Sequence, residues 1–222
     1  LSLGCITQDW RVPLNGARVP VVLGYDAAAD YLPNPTFMGS IAGRVGNRIA
    51  GSSFAIGSET FQLQSNEPPH HLHGGENGIY AQNWAMDKDG TRAVQLYLVS
   101  PDGQQGYPGR VEFSVTISLS DHTLTYDMVA RSDRVTPINM AQHTYYNLMG
   151  QGTILGQELQ IDADHYTPVD AALIPTGEIA SLTGHDFDFR TAKTVEQGGR
   201  DLDMNFVLSN RGKSAARVSA PN

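Results

Sequence analysis

The stretch Val111-Glu112-Phe113-Ser114-Val115-Thr116-Ile117-Ser118-Leu119 decides the fold class. Apolar and polar residues alternate along it with a period of two, so an extended chain puts its apolar set on one face. After Ser120-Asp121-His122 the alternation resumes over residues 124–130, which predicts an antiparallel pair joined at that turn. Ala93-Val94-Gln95-Leu96-Tyr97-Leu98-Val99 is a third such run, separated from the first by the glycine- and proline-rich loop 101–109.

Working outward, helical periodicity is almost absent and turn signals recur roughly every 8–15 residues. Residues 52–56 and 59–63 flank Gly57-Ser58 as a hairpin. Residues 21–23, 158–161 and 205–208 read as further strands, and Trp84-Ala85-Met86 leads into a turn at 87–90. Residues 30–35 form a loop with two prolines. A helical turn is expected at 170–172 and a short helix over 190–197. The pattern is that of an all-β sandwich or barrel. No repeat, low-complexity segment or linker divides the chain, so a single domain over residues 1–222 is expected.

The formal net charge of −8 leaves no basic excess to meet phosphate, so nucleic acid and anionic membrane are disfavoured as partners. No apolar run of about 18 residues suggests a transmembrane helix. The single cysteine, Cys5, cannot form an intrachain disulfide. The sequence opens at Leu1 and shows no basic n-region followed by an apolar core, so no signal peptide is recognised.

Four polar constellations could carry chemistry. His70-His71-Leu72-His73-Gly74-Gly75 places three imidazoles within four positions. Gly43-Arg44-Val45-Gly46-Asn47-Arg48-Ile49 offers guanidinium donors to hydroxyls or a carboxylate. His143 sits among Gln142, Thr144, Tyr145, Tyr146 and Asn147, and Asp203 precedes Asn205 and Phe206. Each also has a plain reading: a polar surface loop, a turn with solvated arginines, a satisfied buried histidine, a strand entry. Two chemical readings of the histidines compete. In one, His71, His73, Glu76 and His143 form a metal set of three histidines and a glutamate, a layout that resembles the cupin pattern. In the other, His73 and His143 act by hydrogen bonding and proton transfer.

The wider sequence favours the second. Gly43-Arg44-x-x-Asn47-Arg48-Ile49, Asn66 followed by Leu72-His73-Gly74-Gly75, and Trp84 resemble the aldose 1-epimerase (galactose mutarotase) family. So do Leu23-Gly24-Tyr25-Asp26, Asp102-Gly103-x-x-Gly106-Tyr107-Pro108-Gly109 and His143-Thr144-Tyr145-Tyr146-Asn147-Leu148. Asp164-x-Tyr166-x-Pro168-Val169-Asp170, Pro175-x-Gly177 and Asp203-x-Asn205-Phe206 complete the set, and the blocks come in the family's order.

The resemblance implies a large antiparallel β-sandwich of the galactose mutarotase-like supersandwich kind. It implies interconversion of the α and β anomers of free aldoses such as glucose and galactose, with no cofactor and no metal. By motif, His143 is the general acid at the ring oxygen, and His73 assists there or holds the substrate. Arg48 and Asp203 bind hydroxyls, with Asn47 beside them. The expected partner is a small aldose, the protein being a monomer or homodimer and cytoplasmic, with a periplasmic placement compatible. The family's opening strands and its C-terminal segment, which carries the general-base glutamate, have no match here. Glu76, Glu158 and Glu178 lie outside the matching context, so weak or no catalysis is expected of these 222 residues. A carbohydrate-binding module without turnover and a cupin-like metal enzyme are the alternatives.

Overall fold

In the computed structural model, residues 111–119 form the centre of a strand, Val111–Ser120, that pairs antiparallel with Thr123–Ser132 on one side and Ala93–Ser100 on the other. Asp121 and His122 are all that remains for the turn, and Asp121 takes the positive φ of 50° that a tight hairpin requires. Ala85–Asp89 completes the four-stranded sheet beside Ala93–Ser100. The expected turn at 87–90 is therefore strand as far as Asp89, because Asp89 still pairs with Ala93. The structure describes residues 1–199, 202–209, 211–212 and 214–221.

The period of two explains which face is buried. Val111, Phe113 and Val115 point to one side together with Leu96, and all are essentially inaccessible. They pack with Cys5, Ile41, Ile79 and Trp84 into one hydrophobic core, extended by Val94, Leu98, Ile117, Tyr126 and Met128. Glu112, Ser114, Thr116 and Ser118 occupy the opposite face.

The chain divides into two compact units. The first comprises Leu1–Trp10 and Leu23–Tyr145 and holds this sheet. The second comprises Arg11–Val22 and Tyr146–Asn222. Its strand Glu158–Ile161 lies between Lys193–Thr194 and Ala216–Ser219, and Ala163–Thr167 lies between Ala180–Ser181 and Asn205–Leu208. Ile161, Ala163, Leu182 and Phe189 form a core of its own. Among the described residues helix occurs only as short 3-10 turns, so the chain is all-β, and none is long and apolar enough to cross a membrane.

Strands 158–161 and 205–208 and the hairpin about Gly57-Ser58 stand where the alternation put them. Three further expectations do not hold. Residues 21–23 are not a paired strand: Val22 makes a single bridge to Tyr146, and the pairing lies upstream in the hairpin Arg11–Leu14 with Ala17–Pro20. Asn15 and Gly16 turn that hairpin with φ of 49° and 81°, the geometry their residue types favour. Residues 190–197 are not a helix but the short strand Lys193–Thr194 and a 3-10 turn at Glu196–Gly198. Residues 170–172 belong to a turn closed by Leu173 N–H donating to the Asp170 carbonyl, inside a bridge between Val169 and Pro175.

Two short strand pairs in the first unit prepare the site. Ile41–Ala42 pairs with Ala141–Gln142, and Arg48–Ile49 pairs with His71–Leu72. Between them Arg44 is buried. Its guanidinium donates to Ser100 Oγ at 2.9 Å and to the carbonyls of Ser100, Pro101 and Pro108 at 3.2, 2.8 and 3.0 Å. It is thus no solvated surface arginine but a tie between the 43–46 turn and the glycine-rich loop.

Replacing Phe113 by Ala should cost about 3–5 kcal/mol in urea denaturation. Glu112→Ala, one residue away on the other face, should stay within about 0.5 kcal/mol of the parent.

Candidate active site

The histidine run resolves into three roles. His70 Nδ1 accepts from the Gly51 N–H at 3.1 Å, which ties down a loop. His71 is fully buried. Its Nδ1 lies 2.6 Å from the Gln64 carbonyl and its Nε2 2.8 Å from the Tyr107 hydroxyl. A carbonyl only accepts, so Nδ1 carries the proton and Nε2 accepts from Tyr107. Burial holds the His71 pKa below its ordinary value, so the ring is a neutral structural pin.

His73, at the C-terminal end of the run, is half-buried. Its N–H donates to the Asn47 carbonyl at 3.1 Å, and the Asn47 N–H donates back to His73 Nδ1 at 3.0 Å. An amide N–H can only donate, so Nδ1 is unprotonated and the neutral ring keeps its hydrogen on Nε2. Both residues have positive φ, 63° at Asn47 and 52° at His73, a region in which Asn and His are enriched among non-glycine residues. Burial lowers the His73 pKa to about 4, helped by nearby His143 and Arg48 and opposed by Glu67. At neutral pH His73 is therefore a fixed hydrogen-bond donor.

The glycines behind it serve the backbone. Gly74 has φ of 93°, and a Cβ there would lie 1.8 Å from the Gly43 carbonyl oxygen. Gly74 thus lets the backbone approach the chain's own 43–44 turn closely.

His143 follows the strand Ala141–Gln142. Its N–H donates to the Ser40 carbonyl at 2.8 Å, and its carbonyl accepts from the Gly39 N–H at 2.9 Å. Its ring centre is 5.1 Å from that of His73, with the planes nearly perpendicular at 87°. Phe37 packs on both, 4.6 Å from His73 and 5.8 Å from His143, and on Tyr80 at 4.7 Å. Tyr145 lies 5.4 Å from His143. Phe37 and Tyr145 thus line the two imidazoles with aromatic rings.

Arg48 donates through Nε to Glu67 Oε2 at 2.5 Å and through Nη2 to Oε1 at 2.8 Å. This two-point pair holds the Glu67 carboxyl below the usual carboxylate range. Asp203 belongs to the second unit, where it is exposed just ahead of Asn205–Leu208. Four of the five expected site residues, Asn47, Arg48, His73 and His143, thus lie in the first unit.

The metal set is not assembled. Both ring nitrogens of His71 are engaged, Nδ1 of His73 is taken by an N–H, and Glu76 Oε2 accepts from Gln64 Nε2 at 2.9 Å. Among the described residues no three of His, Cys, Asp and Glu are grouped for a metal ion. Two residues escaped the sequence reading. Phe37 lies in an irregular loop with no periodicity to mark it. Glu67 could have been noticed as a carboxylate just before the histidine run.

The depressed His73 pKa has a definite sign. Below 6.5 the unfolded chain takes up a proton that the folded ring resists down to about 4. Its contribution should therefore lower stability as pH falls from 6.5 towards 4 and vanish above 6.5. An NMR titration of the His73 ring protons should show a midpoint near 4, and a midpoint near 6.5 would contradict the assignment.

The family model described as Aldose 1-epimerase matches residues 1–222. Galactose mutarotase of Mus musculus is 40% identical over 230 aligned positions, covering 98% of this chain and 66% of that protein. Aldose 1-epimerase of Escherichia coli (strain K12) is 36% identical over 235 positions, covering 95% of this chain and 67% of that protein. The chain thus spans about two thirds of the length of these relatives. A solved GalM/aldose epimerase homologue from C. elegans superposes with a TM-score of 0.94 at 28% identity, covering 99% of this chain and 70% of the other. Galactose 1-epimerase from Lactobacillus acidophilus does so at 0.87 and 31%, covering 99% and 68%. With a family match over its whole length and an all-β architecture shared with these structures, the chain belongs to the aldose 1-epimerase family.

Proposed function

We propose that the protein interconverts the α and β anomers of free aldoses such as glucose and galactose. The observation that carries this reading is the imidazole pair: His73 fixed as an Nε2–H donor, 5.1 Å from His143. The relatives named galactose mutarotase and aldose 1-epimerase support it.

Anomer exchange needs the bond between C1 and the ring oxygen to break. A base removes the C1 hydroxyl proton, and the electron pair closes to a carbonyl at C1. The ring oxygen leaves with a proton supplied by an acid. Rotation about C1–C2 and the reverse sequence give the other anomer. His143 is the acid in this reading, since an imidazole is well matched to proton transfer near neutral pH. His73 donates from Nε2 to the sugar without changing its own protonation. Arg48 binds a sugar hydroxyl, and Asn47 holds the His73 ring. Glu67 is unsuited as the base, because both its oxygens are on Arg48 and its pKa is lowered.

Polarimetry with freshly dissolved α-D-galactose and α-D-glucose tests this on the protein that carries this sequence. Rotation should reach equilibrium faster than in buffer, and His143→Asn should lose about 10²–10⁴-fold of that acceleration while keeping its circular dichroism spectrum. A rate equal to buffer, with galactose affinity intact by calorimetry, would overturn catalysis in favour of sugar binding alone.

A further inference from the structure

We infer that Glu67 is a positioning residue for sugar recognition: it fixes the guanidinium plane of Arg48 so that the remaining N–H groups of Arg48 meet the sugar hydroxyls. The inference rests on the aldose-binding reading of Arg48 given above.

Arg48 stands on a strand of two residues, too short a frame to orient a long side chain with many rotamers. The orientation comes from the fork of Nε and Nη2 on the two Glu67 oxygens, which fixes the plane as well as the position. Of the five N–H groups of a guanidinium, this fork engages two and leaves the others of Nη1 and Nη2 for a ligand. The Arg48 side chain is only 16% exposed, so the pair differs from the single contacts of Arg110 with Glu112 and Arg134 with Glu59, where both arginines are 47% exposed. Pairs of that second kind are worth little.

Glu67 is itself held by the segment that carries His73. Its N–H donates to the His70 carbonyl at 3.1 Å, and its carbonyl accepts from the His70 N–H at 2.7 Å. One residue earlier, the Asn66 amide clamps Leu72 on both sides, donating to its carbonyl at 3.0 Å and accepting from its N–H at 2.8 Å. Leu72 is the register partner of Arg48 in the short strand pair. Glu67, Arg48 and His73 are thus linked in a closed frame, and a shift of Glu67 moves the guanidinium relative to the imidazole.

Titration calorimetry with D-galactose tests this on the wild-type protein, E67Q, R48A and the double variant, each checked by thermal melting. E67Q should weaken galactose affinity by about 10-fold to 10²-fold, the scale on which misplacement of a positioned group is felt. In the R48A background E67Q should change affinity no further, which a general structural role for Glu67 would not produce. Should E67Q melt early, E67D keeps the charge and should retain more affinity than E67Q. Wild-type affinity in E67Q together with a loss in R48A would overturn the inference and leave Arg48 as a sugar ligand. Effects of E67Q and R48A that add in the double variant would also overturn it. Wild-type affinity in R48A would remove the Arg48 reading and this inference with it.

Discussion

The reciprocal hydrogen bonds between Asn47 and His73 are the constraint on which the rest of the site depends. Two main-chain segments face each other there in the left-handed region, and each supplies what the other lacks. Such conformations cost of order 1–3 kcal/mol and persist only where the surroundings over-determine them. Here the surroundings are specific. His71 is pinned between the Gln64 carbonyl and Tyr107 directly before the turn, and Gly74 is pressed on the Gly43 carbonyl directly after it. Between those fixed points the imidazole of His73 has one tautomer and one pose.

The scaffold reaches this precision with very little regular structure at the site itself. The strand pairs that carry Arg48, His71 and Gln142 are two residues long. Their position comes from the core beneath, where fully buried Ile41 joins Phe113, Val115 and Trp84. The long sheet thus supplies the apolar burial that the polar segments cannot.

What was legible in the sequence follows from what sequence spacing can encode. Alternation in residues 111–119 is a property of the extended backbone itself, so the strand, its partner and its buried face could be read directly. The hairpin at Asn15-Gly16 had its turn signal, but Arg11, Pro13, Arg18 and Pro20 blurred the alternation around it. His73, His143, Asn47 and Arg48 were found through the order of motifs, since nothing local says that residues 47, 73 and 143 come together. Glu67 pairs with Arg48 across 19 positions that include the hairpin of Ser53–Ile56 with Glu59–Gln62, and no periodicity marks such a pair. Phe37 is harder still: its role is to fill space beside two histidines, and shape of that kind is decided by tertiary packing.

Arg44 has a consequence for acid tolerance. Its hydrogen-bond partners are three carbonyls and a hydroxyl, none of which changes charge with pH. Arg48 depends instead on a carboxylate, whose charge is lost as pH falls through its lowered pKa. Two arginines four positions apart in the chain therefore respond differently to acid. The tie that joins the 43–46 turn to the glycine-rich loop survives acidification, and the frame that aims the ligand-facing guanidinium does not. Acid would disarm the site before it loosened the ground on which the site stands.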